Sequence, residues 1–213
     1  MGMLPEDAKK KLKAVLDGMD ENVTLLYFTQ EYECMFCKET RTFLEEFREM
    51  SSKIEFQEYD FVKNSDIAKM YGVDKIPAIV VADSRKENTR MKFYGIPAGY
   101  EINSFVTAIL ETSTRGFKYS SKIEERIKKI DKDIHIQVFV SLGCPYCPDA
   151  VITAHRLAFR NPKIKADMVE TTIFGYIANR YNVTGVPKIV INEKYELVGA
   201  QPVEEFMELI EKI

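Results

Sequence analysis

All four cysteines of this chain fall into two Cys-x-x-Cys pairs, Cys34-Met-Phe-Cys37 and Cys144-Pro-Tyr-Cys147, set 110 positions apart. Each first cysteine is followed after 43 positions by a proline behind a branched aliphatic residue, Ile76-Pro77 and Val186-Pro187. A shift of 110 also lays Ala68, Tyr71, Val73, Ile79 and Val80 on Ala178, Tyr181, Val183, Ile189 and Val190. A repeat this long exceeds the roughly 20–50 residues of solenoids and propellers, so each copy is expected to be a domain with its own core. The segment Thr112-Ser-Thr-Arg-Gly116 has the composition of a helix stop and turn, which divides the chain into domains 1–115 and 116–213 joined by a short linker.

With 213 residues, 46% hydrophobic and 30% charged, the chain has enough length for two globular cores without disulfide staples. The N-terminus lacks an apolar stretch of signal-peptide type, and no apolar run approaches the roughly 18 residues of a membrane span. These features predict no membrane association and a cytoplasmic location. Residues 1–113 hold 15 basic and 20 acidic side chains, a balance of −5, and residues 114–213 hold 15 and 13, or +2. Neither half has the basic balance of a nucleic-acid binder. In a cytoplasm that keeps exposed thiols reduced, paired cysteines point to thiol chemistry or metal binding. High Lys and Glu content suits a thermophile.

Periodicity gives one order of elements twice. The first copy reads as helix 5–18, strand 22–29, helix 36–50, strand 54–60, short helix 64–71, strands 77–82 and 90–94, and helix 101–112. The second reads as helix 121–131, strand 134–140, helix 146–159, strand 164–169, short helix 172–181, strands 187–192 and 195–199, and helix 203–212. Ser121-Lys-Ile-Glu124 has the form of a capping box.

Each cysteine pair therefore follows a strand and opens a helix. This places Cys34 and Cys144 at a helix N-terminus, where unpaired N–H groups and the helix dipole favour the attacking thiolate. Cys37 and Cys147, three residues on, are placed to reach back and resolve. A cis bond at Pro77 and Pro187 would turn the backbone groups of Ile76 and Val186 outward, where they can bond an extended substrate segment.

Cys-x-x-Cys after a strand with the hydrophobic-Pro step some forty residues later resembles the thioredoxin superfamily. Its presence in both halves is similar to the glutaredoxin-like protein disulfide oxidoreductases of thermophiles. Cys-Pro-Tyr-Cys is the glutaredoxin form of the motif, and Thr184-Gly-Val-Pro187 is similar to the glutaredoxin Thr-Val-Pro segment. The resemblance implies an α/β fold of two tandem thioredoxin-like units, each a central mixed β-sheet flanked by helices. It also implies a protein disulfide oxidoreductase that acts on disulfide-containing client proteins and draws electrons from a thioredoxin-reductase-like flavoprotein, with no bound cofactor and no metal. The chain departs from the pattern where thioredoxins keep a buried acid six residues before the first cysteine, since Phe28 and Val138 stand there. Ser141-Leu-Gly143 replaces the basic residue before the glutaredoxin pair.

The sites are expected to differ. Glu31, Glu33 and Glu39 oppose thiolate formation at Cys34, whereas only Asp149 lies near Cys144, so the second pair is expected to be the more oxidising. Glu31, Glu33 and Asp149 read as solvated acids, and His135 and His155 as surface or satisfied polar residues. Aromatic residues Phe36, Tyr94, Tyr100 and Tyr146 line either a peptide groove or the core. A zinc protein is the alternative, but ribbons place their cysteine pairs roughly 15–20 residues apart.

Overall fold

A computed structural model of the chain describes residues 3–86 and 89–213; Met1 and Gly2 of the N-terminal reading lie outside the described residues. The first half contains α1 (Glu6–Leu16), β1 (Val23–Thr29), α2 (Cys37–Met50), β2 (Ile54–Asp60), α3 (Ser65–Met70), β3 (Ala78–Asp83), β4 (Met91–Tyr94) and, after a 3-10 turn at Gly99–Glu101, α4 (Ile102–Ser113). The second contains α5 (Ser121–Lys128), β5 (Ile134–Val140), α6 (Cys147–Arg160), β6 (Ile164–Glu170), α7 (Gly175–Arg180), β7 (Lys188–Ile191), β8 (Tyr195–Val198) and α8 (Val203–Ile210). This is the order read from the sequence, with ends moved by one to three residues.

All eight strands join one mixed sheet in the order β2-β1-β3-β4-β6-β5-β7-β8. Alternation along each strand gives the sheet two apolar faces. Leu25 and Tyr27 of β1, Phe93 of β4 and Ile136 and Val138 of β5 face α1, α2, α4, α5, α6 and α8. Leu26 and Phe28, Tyr94 and Phe139 face α3 and α7. Each layer runs unbroken from one half to the other, so the halves share cores where each copy was expected to close its own. Strands buried on both faces read as continuous apolar runs for this reason.

The halves meet where β4 pairs parallel with β6, Met91 opposite Ala166 through Tyr94 opposite Val169. Lys92 Nζ lies 3.6 Å from Asp167 Oδ1 in this seam, and His135 Nε2 lies 2.5 Å from Asp167 Oδ2. Burial raises the Asp167 carboxyl, but the Lys92 ammonium and the His135 ring hold it well below the usual carboxylate range. Arg90 Nε donates to the Ala158 carbonyl at 2.9 Å, and Arg156 of α6 pairs with Glu111 of α4 at 2.6 Å. In the turn after α4, Gly116 has φ 89° and a Cβ there would meet the Phe159 ring at 2.5 Å, so the linker lies flat on α6.

The capping box falls one residue out of step. Ser120 is the N-cap and Ser121 the first helical residue, so Glu124 instead accepts the Tyr119 N–H at 3.0 Å and pairs with Arg160 at 2.7 Å.

Candidate active sites

Cys34 is bridged to Cys37 and Cys144 to Cys147, each with Cα atoms 5.5 Å apart. The placement of the first cysteines differs from expectation. α2 and α6 begin at the second cysteine of each pair, and Cys34 and Cys144 stand in the turn before it. Only at the second cysteine does the backbone settle into helix, which buries Cys37 and Cys147 and leaves their partners nearer the surface. Cys144 is 9% exposed and Cys34 more so.

Both Ile76-Pro77 and Val186-Pro187 are cis. The Val186 carbonyl oxygen lies 3.8 Å from Cys144 Sγ, which puts this step beside the bridge. The Pro77 and Pro187 carbonyls accept the Gly95 and Gly199 N–H groups, each at 2.9 Å, so both prolines are fixed to the next strand by the same bond. Met35 (84% exposed), Tyr32 (72%) and Tyr146 (67%) stand out from the two sites, Tyr100 is also exposed, and Tyr94 is a core residue. Glu31, Glu33 and Asp149 are solvated, as expected.

The missing acid has a geometric answer that counting back from the cysteines did not give. Cys34 comes five positions after Thr29 at the end of β1, but Cys144 comes only four after Val140 at the end of β5, and the extra residue is taken up with Glu33 at φ 58°. Phe28 and Val138 therefore point to opposite faces of the sheet. The residue of the first half that faces the active-site helix is Tyr27, whose buried hydroxyl donates to the Cys37 carbonyl at 2.5 Å. Burial raises this phenol to about 12, so it remains neutral.

In the second site an acid comes from the other half of the chain. The 3-10 turn packs against α6, and the Tyr100 N–H donates to the Leu142 carbonyl at 3.1 Å in the loop that carries Cys144. Glu101 in that turn is fully buried. Its Oε2 accepts the Ser104 hydroxyl and its Oε1 has no hydrogen-bond partner. Burial raises this carboxyl to about 7, with the Ser104 bond acting weakly against it. A helix-start residue of the first copy gives no sequence signal of contact with the second copy's loop.

His155 differs from its surface reading. It is buried on α6 against Phe93, with ring centroids 4.8 Å apart and no hydrogen-bond partner for either nitrogen, and burial lowers it to about 4. His135 is satisfied by Asp167. Among the described residues no group of three or more His, Cys, Asp or Glu is placed to hold a metal, and the zinc reading has no support. Among them, too, no helix is long and apolar enough to cross a membrane.

Residues 6–108 match the thioredoxin family model, and residues 134–212 match a thioredoxin domain model. The NTD_N/C domain of alkylhydroperoxide reductase from Enterococcus faecalis superposes with a TM-score of 0.91 at 29% identity, over 97% of this chain and 99% of that one. A protein disulfide oxidoreductase from Aeropyrum pernix superposes with a TM-score of 0.88 at 29% identity, over 97% and 91%. In sequence, an alkyl hydroperoxide reductase of Staphylococcus aureus is 30% identical over 190 residues, 89% of this chain and 34% of the relative. An NADH dehydrogenase of Bacillus subtilis is 25% identical over 205 residues, 96% and 37%. The chain thus spans about a third of the length of the curated relatives it matches. Two thioredoxin units, each with its own bridged Cys-x-x-Cys, place the chain in the thioredoxin superfamily as a tandem thioredoxin-fold disulfide oxidoreductase.

Proposed function

We propose that the chain reduces, forms or isomerises disulfide bonds in cytoplasmic client proteins through Cys34/Cys37 and Cys144/Cys147. The observation that carries this reading is the bridging of both pairs at the start of a helix, with the first sulfur of each nearer solvent than the second. In the reducing direction the thiolate of Cys34 or Cys144 attacks a client sulfur, forming a mixed disulfide and releasing one client thiolate. Cys37 or Cys147 then attacks the first cysteine, restoring the bridge and releasing the second client thiolate. Ile76-Pro77 and Val186-Pro187 flank the client segment, a role supported by the approach of the Val186 carbonyl to Cys144. Glu101, near neutrality and half unsatisfied, takes the proton from Cys147 in the second site.

In this reading the functional units are residues 1–115 and 116–213. Electrons come from a thioredoxin-reductase-like flavoprotein. The relatives named for alkyl hydroperoxide reductase make a peroxide-reducing thiol protein one client worth assaying. Reduction of insulin disulfides by dithiothreitol tests the reading: the chain should accelerate it, and the Cys34→Ser/Cys144→Ser variant should not. Undiminished activity in that variant would overturn the proposal.

A further inference from the structure

Both bridges lie at the same rim of the sheet. β1 pairs antiparallel with β3, β3 antiparallel with β4, β4 parallel with β6 and β6 parallel with β5, so β1 and β5 run in one direction and their C-terminal ends lead into Cys34 and Cys144. Three strands, β3, β4 and β6, stand between them. Four inter-strand steps of about 4.8 Å put these strands about 19 Å apart, and sheet twist accumulated over four steps separates their ends further. Bonded cysteines need Cα atoms within about 7 Å.

Movement of one half against the other would have to break a continuous structure. The β4–β6 ladder, the buried Lys92–Asp167 pair, the Arg156–Glu111 pair and the bond from Tyr100 to Leu142 all cross the seam, and both apolar layers run through it. Gly99, at φ 58°, lies so close to the Leu142 carbonyl that a Cβ would overlap it, which leaves no slack between the turn and the second site's loop. Nothing in the connection between the halves resembles the exposed, sparsely packed linker of a hinge.

We infer that the two dithiols work in parallel, each exchanging only with outside partners, and that electrons do not pass directly from one pair to the other within a chain. This rests on the reading of both pairs as redox sites. An internal relay would require the Cys34 thiolate to attack Cys144 Sγ, or the reverse, through a mixed disulfide that this separation forbids. Each bridge must then be reduced by its own equivalent of an external dithiol, which is oxidised to a disulfide. A fully reduced chain passes one electron pair at each rim position to a separate client disulfide.

Trapping tests the geometry without any need for turnover. In the Cys37→Ser/Cys147→Ser variant only the two surface-side sulfurs remain, and diamide will oxidise any pair of them that can meet. Peptide mass mapping of the non-reduced monomer should show no Cys34–Cys144 bond. Bridges that form only between two chains, rising with protein concentration, would support the inference, since they show reactive sulfurs that do not meet within one chain. A Cys34–Cys144 bond within the monomer, at a yield independent of concentration, would overturn it.

The natural chain and the two single-pair variants, Cys34→Ser/Cys37→Ser and Cys144→Ser/Cys147→Ser, give a second test. Their insulin-reduction rates should be additive, the two variants summing to the intact chain. Loss of one pair that silences the other, while dithiothreitol still reduces the surviving bridge, would point to a relay and overturn the inference. If neither the natural chain nor any variant reduces insulin, the functional reading fails, and the trapping result still decides whether the sulfurs can meet.

Discussion

Glu101 links stability and chemistry at a single buried carboxyl. Its folded value, about 7, lies above its unfolded value, so its contribution to stability is complete only below the unfolded value of about 4.5 and is lost as pH rises through 7. Glu101→Gln removes the charge, and the variant is expected to exceed the natural chain by about 3 kcal/mol at pH 8 and to match it at pH 4. Urea unfolding at the two pH values reads this directly. In the second site's single-pair form, the same substitution should abolish a step near pH 7 in the rate at which Cys147 resolves a mixed disulfide, measured by stopped flow. Tyr27 gives the contrasting case in the first site. Tyr27→Phe removes the bond to the Cys37 carbonyl and is expected to cost about 1 kcal/mol of stability, with no new pH dependence because the phenol is neutral throughout. The four cysteines and two prolines were legible in the sequence because spacing marks them; Tyr27 and Glu101 were not. Which side chain faces a site depends on strand register and loop length, and a one-residue difference between two loops reverses the face.

Among the elements, the 3-10 turn at Gly99–Glu101 has a larger role than its length suggests, since it carries Glu101 and fastens the first half to the loop of the second site. Gly99→Ala forces a Cβ into the Leu142 carbonyl at a left-handed φ of 58°. It is expected to cost about 2 kcal/mol and to increase hydrogen exchange at the Tyr100 amide and in residues 141–144 while leaving residues 31–37 unchanged. Uniform exchange changes across both loops would contradict this local account. The helices and strands were read nearly to the residue, because amphipathic periodicity and short apolar runs are local properties. The exceptions were helix starts: α2 and α6 begin three residues later than their first cysteines and the α5 cap moves by one, because the last residues before a helix are decided by the turn that delivers them.

For the whole molecule, one sheet and two continuous apolar layers predict cooperative unfolding of both halves. Intrinsic fluorescence of the tyrosines and far-UV circular dichroism should report a single coincident urea transition, whereas two separated transitions would show that the halves are held only loosely. Lys92→Met leaves Asp167 buried beside His135 without its ammonium partner, and is expected to cost about 3 kcal/mol while keeping the transition single. The duplication, the order of elements in each copy, the thioredoxin character and the two dithiol centres were all determined by the sequence, since spacing and periodicity are written along the chain. The tertiary structure alone decided that β4 pairs with β6, that the copies share their cores, and that an acid of one copy is carried on the turn fastened to the other copy's cysteine loop. Those features depend on contacts between residues far apart in sequence, and no local pattern specifies which sheet edge a strand will join.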